Sequence, residues 1–200
     1  MRQNPQRRTA LLDAAIEVLA RDGMRGLTLR AVDAEAGVPV GTCSNYFAHR
    51  GQLLGQIMSR TRERLTPDPA ELADTLTAPR DHHLVARLLH QVHQRMDNDR
   101  ASYLAMLELR LEGARRPELG AELNKDLAAE LETNIRFHLD TGLPGDRTDV
   151  VLLYLAVHGM IVDDLTVPAV LDGRAPALID ELTTRLLARP ATDARPATDA

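Results

Sequence analysis

The sequence predicts an all-α protein with two parts, a small helical head at the amino terminus and a larger helical bundle behind it. Leu and Ala dominate its 200 residues, and runs of β-branched residues, which favour strands, are scarce. Apolar residues recur every three or four positions along much of the chain, which is the spacing of an amphipathic helix. Breaks rich in Gly and Pro divide the pattern into about nine helices.

The first helix is predicted to begin at Asn4-Pro5, where an N-cap precedes a proline that suits the first turn. Asp22-Gly23 is predicted to end it. The arginines Arg7 and Arg8 lie near its start. Its buried face is marked by four apolar residues: Leu12, Ala15, Ile16 and Leu19.

The second helix is predicted over about Leu29–Ala36. Thr28 before it is a good N-cap, because its hydroxyl can accept a bond from a free backbone N–H of the first turn. Leu27 and Val32 take the two positions of a hydrophobic staple, which fixes the angle at which the chain enters the helix. Gly37 follows, and glycine adopts the left-handed conformation that ends a helix at little cost.

The third helix is predicted over about Val40–Ala48, with Pro39 in its first turn. An apolar face is formed at i, i+3 and i+7 by Val40, Cys43 and Phe47. The opposite face is small and polar, and it carries Gly41, Thr42, Asn45, Tyr46 and His49, with Arg50 at its end. A short helix of this kind can lie in the major groove of DNA, where small residues allow close approach and polar residues reach base edges.

At these residues the chain resembles the TetR family of bacterial one-component repressors. The pattern of that family is roughly Thr-x-x-x-Ile-Ala, then Ala-Gly-Val-Ser-x-Gly-Thr-Leu-Tyr-x-Tyr-Phe, then x-x-Lys-x-x-Leu-Leu. The matching positions are Thr28, Val32, Ala36-Gly37-Val38, Gly41-Thr42, Tyr46-Phe47, Arg50 and Leu53-Leu54. Three departures from the pattern bear on the DNA contacts: Pro39 replaces a small polar residue, Ser44 replaces an aromatic residue, and Arg50 replaces Lys. The first two changes remove possible phosphate contacts, and the third keeps the charge with a different geometry.

A DNA-binding role for the head assigns a contact to each exposed polar position. The residues expected at base edges are Val40, Gly41, Thr42 and Asn45, and Ser44 belongs to the same contact surface. The residues expected at phosphates are Thr28, Tyr46, His49 and Arg50. Arg30 is the best candidate for a bidentate guanine contact, because arginine with guanine is the commonest specific pairing.

The distribution of charge supports this assignment. The whole chain has a net charge of −5, which argues against a general nucleic-acid binder. Residues 1–64, however, contain ten arginines and six acidic residues, a net charge of +4, and the remainder therefore carries −9. A basic head on an acidic body is what a local DNA-binding module predicts.

A fourth helix over about Gln52–Leu65 is predicted to join the head to the body, with a solvated face formed by Arg60, Arg62 and Arg64. Its predicted buried residues are Leu53, Leu54, Ile57 and Met58. Prolines at Thr66–Pro69 and Ala78–Arg80 interrupt the helical pattern. The predicted division is a helix-turn-helix domain at 1–50, a connecting helix at 51–66, a ligand-binding and dimerisation domain at 67–188, and a disordered tail at 189–200.

The body is predicted to contain five further helices, numbered five to nine. Helices five and six are predicted over about Asp81–Asp97 and Arg100–Arg115, and helix seven is predicted to end before Gly142. Helices eight and nine are predicted over about Arg147–Val167 and Pro176–Ala188. The seventh carries a stripe expected to be buried: Leu119, Leu123, Leu127, Leu131, Ile135 and Leu139. In the eighth, 150–157 is apolar on all sides, so it must be covered on both flanks. A partner copy supplies one flank, and the resemblance implies the same homodimer interface, here Leu152, Leu153, Leu155, Leu178 and Leu182.

The resemblance also implies a small-molecule effector bound among the middle helices of the body. Polar groups inside apolar walls are what such a pocket needs. The plausible lining residues are Tyr103, Arg110, Phe137 and His158. Two of these residues have a simpler interpretation. Arg110 could form an internal salt bridge with Glu108 or Glu112, and His158-Gly159 could permit a close helix crossing.

Other chemistries find less support. Cys43, the single cysteine, excludes an internal disulfide and is expected to be a small core residue, with a redox role as the alternative. One helical face carries His90, His93 and Asp97, which together with His82 or His83 could bind zinc. This spacing is common by chance, so no metal is expected. No catalytic triad, phosphate loop or cofactor motif appears, so neither an enzyme nor a cofactor is expected.

The sequence therefore predicts a homodimeric, ligand-responsive repressor of a palindromic double-stranded DNA operator. A protein-interaction module that kept the fold and lost specific DNA binding is the alternative, and Pro39 and Ser44 support it. No secretory signal is visible and the run at 150–157 is far shorter than a membrane span, so no membrane partner and a cytoplasmic location are expected.

Overall fold

The chain is all-helical, as predicted. A computed structural model describes residues 4–188, and these residues form ten α-helices and no strand. The helices are α1 Pro5–Gly26, α2 Leu29–Glu35, α3 Thr42–Tyr46, α4 Arg50–Leu65, α5 Pro69–Thr75, α6 His82–Asn98, α7 Arg100–Arg115, α8 Pro117–Asp140, α9 Arg147–Thr166 and α10 Ala175–Leu187. The tail predicted to be disordered, 189–200, lies outside the described residues.

Most predicted boundaries agree with the structure to within one or two residues, and α7 has the predicted bounds. The additional helix is α5, which the prediction treated as part of a proline-rich break. Pro69 is the first residue of α5, a position where the missing N–H of proline has no helical partner to lose. The proline there starts a helix and does not interrupt one.

The described residues pack as two compact units. The first unit comprises the chain up to Asp68 together with Gln94–Glu130, and the second comprises Pro69–His93 together with the chain from Leu131. Helices α6 and α8 each contribute residues to both units. The predicted domain boundaries divide the chain by role and not by packing, and they remain a prediction.

The first unit has a core built from α1, α4 and α7, closed by α2 and α3. The predicted buried faces of α1 and α4 are confirmed: Leu12, Ala15, Ile16, Leu19, Leu53, Leu54, Ile57 and Met58 are all buried. Phe47 joins this core from the chain that follows α3, and the guanidinium of Arg8 lies over its ring at 5.1 Å from the centroid. The head is therefore held by α4 and α7 as well as by its own three helices.

The three arginines of α4 do not form the predicted solvated face. Arg60 pairs with Asp13 at 2.8 Å, and Arg62 pairs with Asp126 at 3.1 Å. Arg64 pairs with Asp99, the N-cap of α7, at 2.8 Å. The prediction was wrong here because the acidic partners lie on α1, α8 and the start of α7, far away in sequence.

The pair between Arg64 and Asp99 makes part of this packing sensitive to acid. Burial by itself raises the pKa of Asp99, but hydrogen bonds from Arg64 and Ser102 outweigh it and hold that pKa below its usual value. A carboxyl group with a lowered pKa stabilises the fold at neutral pH. This contribution is lost as the pH falls through the lowered pKa of Asp99.

The second unit packs α9 and α10 together around a smaller apolar core that includes Leu84, Val85 and Leu143. Two histidines of α6 bond to carboxylates in this unit: His90 to Asp180 at 2.7 Å and His93 to Asp164 at 2.8 Å. The alternative zinc site grouped these histidines with Asp97. Within residues 4–188, no group of three or more His, Cys, Asp or Glu side chains is arranged to hold a metal ion.

The leucine-rich surfaces of α8 and α9 are covered only in part. Leu119, Leu123 and Ile135 of the α8 stripe are buried, whereas Leu139 is 44% exposed, contrary to the prediction, because it lies in the last turn before the chain leaves the helix. On α9, Leu153 is 3% exposed and Leu155 is 58% exposed. No helix among residues 4–188 has the combination of length and apolar character needed to cross a bilayer.

Candidate nucleic-acid interface

The entry into α2 is fixed as predicted. The Thr28 hydroxyl accepts a hydrogen bond from the N–H of Ala31 at 3.1 Å, so it caps the helix. Leu27 and Val32, the two predicted staple residues, are both buried. The hydroxyl hydrogen of Thr28 is left to donate outward, which suits a phosphate oxygen.

The connection from α2 to α3 depends on two left-handed glycines, Gly37 (φ 62°) and Gly41 (φ 92°). Gly41 is the N-cap of α3, so the helix begins at Thr42 and Pro39 lies in the preceding turn, contrary to the prediction. The helix also ends early, because Phe47 is extended and its ring is buried. The result is a helix of five residues, Thr42–Tyr46, and not the nine that were predicted.

Asp33 holds the start of α3 in place, and the sequence prediction missed it. Its carboxylate accepts hydrogen bonds from the N–H groups of Gly41 and Cys43, both at 2.7 Å. The side chain is 1% exposed. Hydrogen bonds to an ionised acceptor are shorter and stronger than neutral ones, so this contact fixes α3 relative to α2.

A signal for Asp33 was present in the sequence. The family pattern has alanine at this position, and Asp33 departs from it. The same chain has Pro39 in place of the small polar residue near the start of α3, where such residues act as helix caps. A carboxylate from α2 thus supplies the acceptor that the loop before α3 lacks.

The residues predicted to contact DNA are accessible. Those that are exposed are Thr28, Arg30, Val40, Gly41, Ser44, Asn45, His49 and Arg50, and those that are half-buried are Thr42 and Tyr46. The predicted inward face at i, i+3 and i+7 is correct for Cys43 and Phe47 only. Val40 is 77% exposed because it precedes the helix and lies in the turn.

Two hydroxyls of α3 are already committed as donors. The Thr42 hydroxyl donates to the Pro39 carbonyl at 2.6 Å, and the Ser44 hydroxyl donates to the Gly41 carbonyl at 2.8 Å. Each hydroxyl oxygen keeps its capacity to accept a hydrogen bond. Without a change of rotamer, these side chains suit the amino groups of adenine and cytosine and not phosphate oxygens.

His49 and Arg50 form the junction between α3 and α4. The Nδ1 atom of His49 accepts from the N–H of Gln52 at 3.1 Å, so the histidine caps α4. The Gln52 side chain in turn accepts from the N–H of Ala48 at 2.7 Å. With Nδ1 accepting, the proton of a neutral imidazole is on Nε2, which can donate to a phosphate.

Eight of the nine arginines in residues 4–64 divide into two groups, and the ninth, Arg8, bonds Gln56 and lies over the Phe47 ring. Arg21, Arg60, Arg62 and Arg64 have acidic partners within the first unit. Four exposed arginines have no acidic partner among residues 4–188: Arg7, Arg25, Arg30 and Arg50. Arg25, in the last turn of α1, was not among the predicted contacts. In the described part of the head, these four exposed side chains are positive charges that a polyanion can reach.

Cys43 is a core residue and not a reactive one. It is buried in the first unit, and burial together with the nearby Asp33 carboxylate raises the pKa of its thiol to about 11. The thiolate is the reactive form of cysteine, so a raised pKa makes the residue inert at neutral pH.

The four predicted ligand-lining residues fall in different units. Tyr103 and Arg110 lie in the first unit, and Phe137 and His158 lie in the second. An open groove of about 580 Å³ beside the start of α4 is lined by none of the four. Its lining includes His49, Arg116 and Glu118, whereas most ligand pockets are enclosed and largely apolar.

The predicted dimer residues also divide. Leu152, Leu155 and Leu178 are exposed, and Leu182 is half-buried. Leu153 belongs to the core of the second unit, so in a single chain it is not available to a partner copy. The apolar run at 150–157 gave no way to tell which of its faces pointed inward.

Family models match most of the chain. The model described as "Bacterial regulatory proteins, tetR family" matches residues 11–57, and the one described as "Tetracyclin repressor-like, C-terminal domain" matches residues 80–189. The chain is 25% identical, over 129 residues, to the HTH-type nicotine-responsive transcriptional repressor HdnoR of Paenarthrobacter nicotinovorans. That match covers 64% of this chain and 65% of the repressor.

Two solved structures have the same fold. A transcriptional regulator from Rhodococcus sp. Rha1 is 21% identical with a TM-score of 0.69, over 93% of this chain and 97% of that chain. The multidrug binding protein EbrR, complexed with imidazole, is 28% identical with a TM-score of 0.65, over 94% of this chain and 99% of that chain. EbrR is also known complexed with malachite green.

Proposed function

The chain belongs to the TetR family of bacterial regulatory proteins, and from this premise we propose that it is a ligand-responsive transcriptional repressor. The observation that carries the proposal is the exposed polar surface of α3 and its flanking turns, beside arginines that have no acidic partner among the described residues. Basic side chains supply affinity for the phosphate backbone, and small polar side chains on a short helix read bases. The protein is a DNA-binding regulator and not an enzyme.

The operator is a palindrome bound by a homodimer. Two copies of α3 must reach successive major grooves on one face of the duplex, roughly 34–36 Å apart. Exposed leucines on α9 and α10, Leu152, Leu155 and Leu178, support the pairing of two copies through these helices. A protein of this kind works on DNA in the bacterial cytoplasm, which is the location we propose.

The effector is a small organic molecule. HdnoR is described as nicotine-responsive, and EbrR is known complexed with imidazole or malachite green, so aromatic compounds that contain nitrogen are the first to test. Which residues line its binding site stays a prediction from the sequence. Release from DNA follows only if the effector binds more tightly to a conformation that the operator disfavours.

The proposal is tested by selecting bound duplexes from a random-sequence pool at about 0.15 M salt, where weak electrostatic contacts are screened. We expect an inverted repeat to be enriched, with half-site centres about one helical turn apart. A pool without any enriched sequence, and no specific gel shift with the protein's own upstream region, would favour the alternative of an interaction module that lost DNA binding.

Asn45 is the side chain proposed to read a base within α3. Replacing it by alanine (Asn45→Ala) should remove about 1–3 kcal/mol of discrimination at one base pair of each half-site, because an amide can bond bidentately to adenine. The measurement is the dissociation constant for the selected duplex and for its single base-pair variants. Asn134→Ala, at an exposed position of α8, is the matched control. Equal weakening on every duplex would mean that Asn45 contacts the DNA backbone.

A further inference from the structure

Both main-chain groups of Met24 are bonded to side chains from other helices. Its N–H donates to the carboxylate of Glu108, on α7, at 3.1 Å. Its carbonyl accepts from the guanidinium of Arg50, the first residue of α4, at 2.7 Å. One buried residue at the end of α1 thus joins α7 to the junction beside α3.

The first of these contacts lies beside a break in α1 at Gly23. Gly23 is left-handed (φ 67°), which breaks the regular helix of α1 just before Met24. A side chain at this φ would be strained, although a Cβ there would lie at an ordinary contact distance, 3.4 Å, from a carboxylate oxygen of Glu108. The half-buried carboxylate of Glu108 thus lies against the break in α1.

The second contact restrains a residue at the DNA-facing surface. Arg50 is exposed, and its long side chain would otherwise sample many rotamers. A guanidinium has five N–H donors, so the bond to Met24 leaves others for a phosphate oxygen. The bond therefore orients the guanidinium and does not neutralise its charge.

We propose that Glu108 is a positioning residue for DNA binding, which acts through the main chain of Met24 to hold Arg50 toward the phosphate backbone. The inference rests on the proposed function of α3 and Arg50. It also makes α7 a regulatory element: a displacement that takes the Glu108 carboxylate away from Met24 releases Arg50 without any change in α3 itself.

The test is a double-mutant cycle on a fluorescein-labelled duplex selected by the wild-type protein. Dissociation constants for the wild type, Glu108→Ala, Arg50→Ala and the double variant are measured over a series of KCl concentrations. We expect Arg50→Ala to bind about tenfold more weakly and to lose about one phosphate contact per subunit from the salt slope. Glu108→Ala should bind about fivefold more weakly and lose a similar part of the slope, and the double variant should be no weaker than Arg50→Ala.

Two further variants separate positioning from charge and from folding. Glu122→Ala removes an exposed carboxylate of the same unit that does not contact Met24, so it measures the effect of charge alone. Glu108→Gln keeps an acceptor oxygen and should bind DNA as tightly as the wild type does. Glu108→Asp keeps the charge on a shorter side chain and should bind as weakly as Glu108→Ala. A thermal melt of Glu108→Asp tests whether the variant is folded.

The outcomes distinguish this inference from the proposed function. Additive losses in the double variant, or weaker binding by Glu108→Ala at an unchanged salt slope, would overturn the positioning role and leave DNA binding intact. If Arg50→Ala binds as the wild type does, the role of Glu108 falls with it. A wild-type protein that selects no duplex would overturn the proposed function itself.

Discussion

An Asp33→Ala variant should fold less stably and lose operator binding. The substitution leaves two N–H groups, of Gly41 and the buried Cys43, without the carboxylate that both now bond. Hydrogen bonds to a charged acceptor contribute roughly 1.5–3 kcal/mol each, so we expect a loss of about 3 kcal/mol in the free energy of unfolding. Since α3 has only five residues, it has little else to fix its start.

The affinity for the selected duplex should fall by about 100-fold or more. Each loss of roughly 1.4 kcal/mol in binding free energy is a factor of ten, and a displaced α3 loses contacts worth at least twice that amount. Urea denaturation and anisotropy with the selected duplex measure the two effects. Removing a negative charge by itself favours binding to DNA, so a loss has to come from geometry. A variant that keeps wild-type base discrimination would show that Asp33 does not set the position of α3.

Glu35→Ala is the matched control for this experiment. Glu35 lies on the same helix, carries the same charge, and pairs with the exposed Arg21 at 2.9 Å. Exposed ion pairs contribute about 0–1 kcal/mol, so this variant should be nearly as stable as the wild type. Asp33→Asn keeps one acceptor oxygen and should fall between the two.

Replacing leucine by aspartate at two nearby positions of α9 should have large but different effects, on folding at one position and on dimerisation at the other. Leu153→Asp places a carboxylate in the core of the second unit, and a buried group without a partner costs several kcal/mol, so we expect the chain to unfold. Leu155→Asp places the same group on the exposed side. We expect that variant to stay folded and to become monomeric.

Circular dichroism and multi-angle light scattering at the same protein concentration separate these results. The helical signal should be lost for Leu153→Asp and kept for Leu155→Asp, and the folded Leu155→Asp variant should have half the mass of the wild type. A folded Leu155→Asp dimer would move the interface away from this side of α9. Operator binding by the monomer should also weaken strongly, because two linked heads bind far more tightly than one.

The sequence was informative wherever local pattern decides structure. The bounds of α7, the cap at Thr28 and the buried faces of α1 and α4 follow from spacing and capping chemistry over a few residues. The family pattern identified the head. Its matching apolar positions, such as Val32 and Phe47, are buried in the core, and matching polar positions such as Thr28 and Arg50 are exposed. Each of these features needs no knowledge of distant residues.

Several features that the sequence did not predict depend on contacts between positions that are apart in the sequence. Asp33 gains its role from backbone groups eight and ten residues away, and Arg64 from a carboxylate 35 residues away. The orientation of Leu153 and Leu155 was hidden because the segment around them is apolar on every side. Only the packed structure shows which side chain meets which partner.

The exposure of Val40 has a consequence for what the head can distinguish. The Val40 side chain is exposed to water, and its burial is favourable when it packs against another apolar group. In the major groove, the apolar group available for such a contact is the C5-methyl group of thymine. Methylation of cytosine at the same carbon would present a similar contact. Operator recognition would then depend on the methylation of the DNA as well as on its hydrogen-bonding pattern.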